Sequence, residues 1–72
     1  MATILIIGAS KGIGLETVKA ALAAGHTVRA FARSAAGIAI TGARLVKFPG
    51  DALSRIDIEK ALNGVDAVIQ SL

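Results

Sequence analysis

The sequence contains no cysteine, no tryptophan and no tyrosine, and its 72 residues include a single proline. Without cysteine the chain cannot form a disulfide or a cysteine-ligated metal centre. With two phenylalanines as its only aromatic residues, it lacks the stacking platforms that proteins use to bind single-stranded nucleic acids. No apolar run approaches the roughly 20 residues that a membrane-spanning helix requires. These absences argue against a disulfide-rich secreted domain, a nucleic-acid partner and a membrane span.

What remains is a short, apolar and mildly basic chain. Hydrophobic residues make up 54% of it and charged residues 18%, a balance that argues against disorder. Its length allows one compact unit, which we expect to bury only about 60% of the surface exposed by the unfolded chain. The formal net charge is +3, and the basic residues are scattered along the sequence, as expected of an ordinary solvent-exposed surface. Because Met1-Ala2-Thr3 lacks the basic start of a signal peptide, we expect a cytoplasmic protein.

The N-terminal third of the chain predicts a strand followed by a helix. The run Thr3–Ile7 is β-branched and aliphatic throughout and stops at Gly8, as in a central strand that is covered on both faces. From residue 12 to residue 24 the apolar residues recur at helical spacing, and Gly25 is placed to end the helix. Glu16 is expected in the first turn of this helix. The apolar positions of the helix are Leu15, Val18 and Leu22.

The rest of the chain predicts three more strands and a second helix. The strands are expected at residues 26–32, 44–48 and 65–72. The segment 33–43 has no clear period, so we expect a loop with one helical turn at most. Ser54 followed by Asp57 resembles a capping pair and predicts the start of a helix, which Asn63-Gly64 should end. The residues expected on its buried face are Ile58, Ala61 and Leu62.

Strands that alternate with helical segments (βαβαβαβ) predict an α/β fold. We expect a parallel sheet between two helical layers, in the strand order 3-2-1-4. The winding reverses between strands 1 and 4, and ligands of such folds bind at the reversal, beyond the carboxyl ends of the strands. Strand 4 would lie at the edge of the sheet with apolar side chains exposed, so self-association through this strand is a further expectation.

A glycine-rich loop, Gly8-Ala-Ser-Lys-Gly-Ile-Gly14, lies at this reversal between the first strand and the first helix. Gly8 permits a tight turn, Gly12 leaves room for a pyrophosphate to approach the backbone, and Gly14 lets the helix pack on the sheet. Free N–H groups in the first helical turn then attract the anion. The spacing and placement predict a dinucleotide site. The alternative is a glycine-rich turn that binds nothing.

The residues after the second and third strands indicate which dinucleotide is bound. An NAD site usually has Asp or Glu after strand 2, whereas this chain has Ala32-Arg33-Ser34 there. Arg33 can pair with a 2′-phosphate and Lys11 can add a second cation, so we expect NADP rather than NAD. Asp51, after strand 3, is a candidate acceptor for the adenine amino group. Each of the three also has a simpler interpretation, as a solvated cation or as the first residue of a turn. His26 is expected to be structural.

These motifs resemble those of the short-chain dehydrogenase/reductase superfamily, over essentially the whole chain. The glycine spacing is that of its ordinary reductases, whereas the segments Val28–Ser34, Gly50–Leu53 and Ala61–Ile69 look like its atypical NAD(P)H-binding members, including biliverdin/flavin reductase-like and NmrA-like proteins. The resemblance implies a Rossmann-like fold and places Gln70, Ser71 and Leu72 beside the nicotinamide ribose. The cofactor-binding residues that it implies are Gly8, Ser10, Lys11, Gly12, Ile13, Gly14, Arg33, Asp51, Ala52 and Ser71.

The resemblance also implies what this chain does not contain. Family members continue for well over a hundred further residues, and most of the enzymes among them use a Tyr-x-x-x-Lys pair that a chain without tyrosine cannot supply. We therefore expect the N-terminal part of the dinucleotide-binding domain of a longer oxidoreductase, inactive alone, with no catalytic and no metal-binding residue of its own. The alternatives are a non-catalytic NmrA-like sensor and an epimerase/dehydratase-like parent.

Overall fold

All four strands run parallel in one sheet, in the order β3-β2-β1-β4. The computed structural model describes residues 2–71. The strands are β1 (Thr3–Ile7), β2 (Thr27–Ala32), β3 (Leu45–Pro49) and β4 (Ala67–Gln70), and the helices are α1 (Gly12–Ala23) and α2 (Arg55–Leu62). A single 3₁₀ turn, Ala35–Gly37, interrupts the loop between β2 and β3. The predicted α/β fold and strand order are confirmed.

Two apolar cores lie on opposite faces of this sheet. Because successive side chains of a strand point to opposite faces, neighbouring residues of β1 belong to different cores. Ile6 packs with Val18 of α1, whereas Leu5 and Ile7 pack with Ala61 of α2. β1 therefore has a helix on each side, which explains its uninterrupted apolar sequence.

The end of α1 follows the prediction, and its beginning differs in one respect. Gly25 has a φ of +89°, and the N–H groups of Gly25 and His26 donate to the carbonyls of Leu22 and Ala21 at 3.0 and 3.1 Å, the two bonds of a Schellman motif. Glu16, in contrast, lies beyond the first turn, which contains no acidic residue. The helix begins at Gly12, as expected, but a turn spans about 3.6 residues, so residue 16 is already in the second turn and the expectation for Glu16 is wrong.

Side chains form hydrogen bonds with the backbone at both ends of α2. The hydroxyl of Ser54 accepts a hydrogen bond from the N–H of Asp57 at 3.3 Å, which confirms the predicted cap. At the other end the Arg29 guanidinium, from β2, donates to the carbonyls of Ala61 and Asn63 at 2.7 Å each. The last carbonyls of a helix lack intrahelical donors, so Arg29 supplies what α2 needs at this end.

The buried face of α2 is narrower than expected. Ala61 is fully buried, but Leu62 is 41% exposed, so its assignment to the buried face is wrong. The helix has only eight residues, Arg55–Leu62, and Leu62 is the last of them. The apolar layer is completed by residues outside the helix, including Ala52 and Val65, which pack against the same core.

Strand β4 is shorter than predicted, and all four of its residues are exposed. Val68 and Ile69 are 47% and 39% exposed. Of the residues predicted to extend this strand, Val65 and Asp66 belong to the preceding turn and Leu72 lies outside the described residues. In the described part of the chain, β4 pairs only with β1. No helix between residues 2 and 71 is long and apolar enough to cross a membrane.

Candidate functional site

A cavity of about 560 Å³ opens at the carboxyl ends of the strands. Its wall combines the end of β1 and the following loop, the end of β2, the segment after β3 and Ser71 after β4. Small-molecule sites in proteins commonly have volumes of roughly 300–1,000 Å³. The cavity thus lies at the edge of the sheet where the strand order predicts a ligand, and it is large enough for a small molecule.

Seven of the ten residues expected to bind a cofactor line this cavity. They are Gly8, Ser10, Lys11, Arg33, Asp51, Ala52 and Ser71. The other three, at the start of α1, lie outside its wall. Gly12 and Ile13 line a second, shallower groove along the helix, and Gly14 is buried. The structure therefore brings together residues from four separate segments of the chain.

The three loop glycines meet different physical demands. Gly8 has a φ of +81° and its N–H donates to the Phe31 carbonyl at 2.9 Å, so it turns the chain out of β1. A Cβ atom at Gly14 would collide with the Gly8 carbonyl oxygen and lie 2.6 Å from the Ser71 hydroxyl. Gly12 has a φ of +63° and open space where a Cβ atom would be. Gly14 thus permits close packing, and Gly12 leaves the surface beside the loop free.

The start of α1 has no side-chain cap, in contrast to the start of α2. The N-cap residue is Lys11, whose side chain has no hydrogen-bond acceptor. The N–H groups of Gly12, Ile13 and Gly14 form no hydrogen bond with the described residues. Together with the helix dipole, these free donors favour an anion at the start of α1.

Two cationic side chains line the cavity beside this helix start. Lys11 and Arg33 are both exposed, and neither forms an ion pair or donates a hydrogen bond within residues 2–71. Arg29, in contrast, already donates to two carbonyls at the end of α2. An anionic ligand in the cavity would therefore meet Lys11 and Arg33 without displacing a partner of either.

Asp51 stabilises the turn after β3 with one carboxylate oxygen and can accept a hydrogen bond from a ligand with the other. Its Oδ1 accepts from the N–H of Leu53, and its own N–H donates to Asp57 Oδ2, both at 2.9 Å. The simpler interpretation of Asp51, as a turn-forming residue, thus accounts for the Oδ1 oxygen alone. Oδ2 accepts no hydrogen bond from the described residues and remains available to a ligand donor at the cavity wall.

The apolar part of the cavity wall was not predicted. Phe31 is fully buried and stacks on Phe48, with 5.8 Å between the ring centroids. Gly50 lies so close that a Cβ atom there would be 2.6 Å from the Phe31 ring. Leu53 is 94% exposed at the rim. The sequence indicates the place of Leu53 in the wall only through its position two residues after Asp51. It does not indicate the contact between Phe31 and Gly50, because these two residues lie far apart in the chain.

Comparison with known proteins agrees with this geometry. A family model described as NAD(P)H-binding matches residues 8–72, beginning at the first glycine of the loop. A search of curated proteins finds no match to the chain. The family match spans most of the sequence and includes every residue assigned above to the cavity wall except Ile7. The chain therefore belongs to the NAD(P)H-binding family, with a Rossmann-like fold whose ligand is a nicotinamide dinucleotide.

Proposed function

We propose that the chain binds NADP(H) in preference to NAD(H), as the cofactor-binding part of an oxidoreductase of the short-chain dehydrogenase/reductase type. One observation carries this proposal: two cations, Lys11 and Arg33, flank a cavity beside an uncapped helix start, and neither has a partner among residues 2–71. A dinucleotide with an additional 2′-phosphate presents phosphate groups at separated points. Those two kinds of anion site match the pyrophosphate and the 2′-phosphate.

Each part of the cofactor has a partner in this arrangement. The loop from Gly8 to Gly14, with the free N–H groups at its end, would hold the pyrophosphate, with Lys11 alongside. Arg33 follows β2 with no acidic residue beside it, so its planar guanidinium can pair with the 2′-phosphate. The free oxygen of Asp51 can accept from the adenine amino group, above the apolar floor formed by Phe31.

The chemistry of the bound cofactor would be hydride transfer to or from an acceptor. The described residues bind and orient the cofactor, and the sequence contains no tyrosine to act as the proton donor common in the resembling enzymes. We therefore propose that substrate binding and proton transfer require residues other than these. An NmrA-like sensor would use the same cofactor site without such residues. An epimerase/dehydratase-like parent would use the site with NAD. A proton donor in an adjoining segment would favour the enzyme over the sensor.

A titration of the chain with NADPH and NADH tests the cofactor preference. A ligand that binds only the folded state stabilises it by about 2.7 kcal/mol at a hundred times its Kd. We expect NADPH to raise the unfolding temperature, and to do so at lower concentration than NADH. Calorimetry supplies the two affinities directly. Equal affinities would remove the preference for NADP, and no stabilisation by either nucleotide would contradict the binding role itself.

We also propose that two copies associate through β4. Its outer edge is unpaired in the described chain, and it has no charged residue or proline to discourage pairing, whereas the opposite edge strand contains Lys47 and Pro49. Sedimentation equilibrium should show a concentration-dependent dimer that Val68→Lys abolishes. The matched control is Val46→Lys in β3, at a residue 48% exposed. A wild-type chain that stays monomeric as its concentration rises would contradict the proposal.

A further inference from the structure

Three segments of the chain meet at the Ser71 hydroxyl group. Its oxygen lies 3.0 Å from the carbonyl oxygen of Ile7 and 3.1 Å from that of Gly8. Carbonyl oxygens only accept hydrogen bonds, so the hydroxyl donates its one proton to this pair. The backbone N–H of Ser71 donates to the Ile7 carbonyl as well, at 3.0 Å. Ser71 therefore ties the end of β4 to the last residue of β1 and to the first residue of the glycine loop.

The Gly8 carbonyl depends on this serine. No backbone N–H group in the described chain donates to it, so the hydroxyl is the donor that satisfies it there. On the other side, Gly14 approaches so closely that a Cβ atom would collide with the same oxygen. The direction of the Gly8 peptide group is thus set between the Ser71 hydroxyl and the first turn of α1. This peptide group begins the loop that lines the cavity.

We propose that Ser71 is a positioning residue for the glycine loop. Its hydroxyl orients the Gly8 peptide and so places the following loop and the free N–H groups of α1 for a pyrophosphate. It does this through the backbone, since its proton is already donated to carbonyl groups. This role differs from direct contact with the nicotinamide ribose. The inference rests on the proposed dinucleotide function and adds to it the residue that sets the geometry of the phosphate-binding loop.

The test compares NADPH, adenosine 5′-diphosphate 2′-phosphate and adenosine 2′-monophosphate on the variant Ser71→Ala. The second ligand contains the pyrophosphate but no nicotinamide ribose, so we expect it to lose affinity as NADPH does. An unchanged affinity for this ligand would show direct contact with the ribose and overturn the positioning role. NADPH contains the pyrophosphate, whereas adenosine 2′-monophosphate contains only the adenine, the ribose and the 2′-phosphate expected near Asp51 and Arg33. We expect Ser71→Ala to lose NADPH affinity about 5- to 15-fold, because a part-buried carbonyl loses its donor and the loop relaxes. We expect its affinity for adenosine 2′-monophosphate to be unchanged, which also shows that the variant is folded.

The variant Ser54→Ala is the matched control. It also removes a hydroxyl that bonds the backbone, but this hydroxyl caps α2 and does not line the cavity. We expect it to lower the unfolding temperature and to leave NADPH affinity unchanged. Equal NADPH affinity in wild type and Ser71→Ala would overturn the positioning role. A parallel loss of NADPH and adenosine 2′-monophosphate, or an equal loss of NADPH in Ser54→Ala, would also overturn it, as a general effect on stability. A wild-type chain that binds no NADPH would instead contradict the proposed function.

Discussion

Gly14→Ala is expected to lower the free energy of unfolding by about 3 kcal/mol, at the upper end of the cost of overpacking. The new methyl group would collide with the Gly8 carbonyl oxygen and lie 2.6 Å from the Ser71 hydroxyl. The first of these is backbone at the end of the central strand, so it cannot rotate away as a flexible side chain would. Relief requires α1 to move away from β1, which would open the apolar core around Val18 and Ile6.

Thermal unfolding followed by circular dichroism measures this effect. For a domain of this size, about 3 kcal/mol corresponds to a fall of roughly 12–24 °C in the unfolding temperature. Gly42→Ala is the control, because Gly42 lies in a loop without a left-handed φ and a Cβ atom there would meet nothing within 4 Å. We expect Gly42→Ala to leave the unfolding temperature unchanged or slightly raised, through a less flexible unfolded chain. A Gly14→Ala variant as stable as the wild type would show that α1 does not approach β1 this closely.

The order of the elements could be predicted because its signals are local. The apolar run Thr3–Ile7, the glycine after α1 and the capping pair Ser54 and Asp57 each lie within one short window of sequence. The limits of an element depend on distant contacts. Asp66, for example, donates its N–H to the Thr3 carbonyl and accepts from the Thr3 N–H with its carboxylate, at 2.8 Å each, and the pairing of β4 with β1 begins at the next residue, Ala67.

The candidate site could be predicted only in part, for the same reason. Lys11 and Arg33 follow strands that end at one edge of the sheet, so the strand order alone brings them together. The sequence does not reveal that Arg29 is engaged and Arg33 is not, because the partners of Arg29 lie more than 30 residues away. The Ser71 contact with Gly8 spans 63 residues and was equally invisible.

Gly12 shows how the backbone conformation adds to what the sequence indicates. The sequence indicates that a large side chain at Gly12 would block a pyrophosphate, and the open space beside this residue agrees. Its φ of +63° adds that a β-branched residue would also be strained there. Gly12→Val would therefore change both the stability of the chain and its affinity for the cofactor. For this reason we test the loop with Ser71→Ala.

Arg33→Ala is expected to lower NADPH affinity by roughly 10- to 100-fold and to leave NADH affinity nearly unchanged. A charge-assisted hydrogen bond contributes about 1.5–3 kcal/mol, and each 1.4 kcal/mol is a factor of ten in affinity. Arg33 lines the cavity without a partner in the described chain, so its removal leaves no buried protein group unsatisfied. The loss should therefore fall on the ligand that carries the 2′-phosphate, because NADH has no group for this guanidinium to pair with.

Arg44→Ala separates this pairing from the general effect of charge. Both variants lower the formal net charge from +3 to +2. Arg44, however, lies before the amino end of β3, whereas the cavity lies at the carboxyl ends of the strands. The Arg44 guanidinium donates to the Gly25 carbonyl at 3.1 Å. Calorimetry of both variants with both nucleotides gives four affinities. If Arg33 pairs with the 2′-phosphate, only Arg33→Ala with NADPH deviates from wild type. An equal loss of NADPH affinity in the two variants would show that overall charge attracts the nucleotide, and an equal loss of NADPH and NADH in Arg33→Ala would place Arg33 at the pyrophosphate.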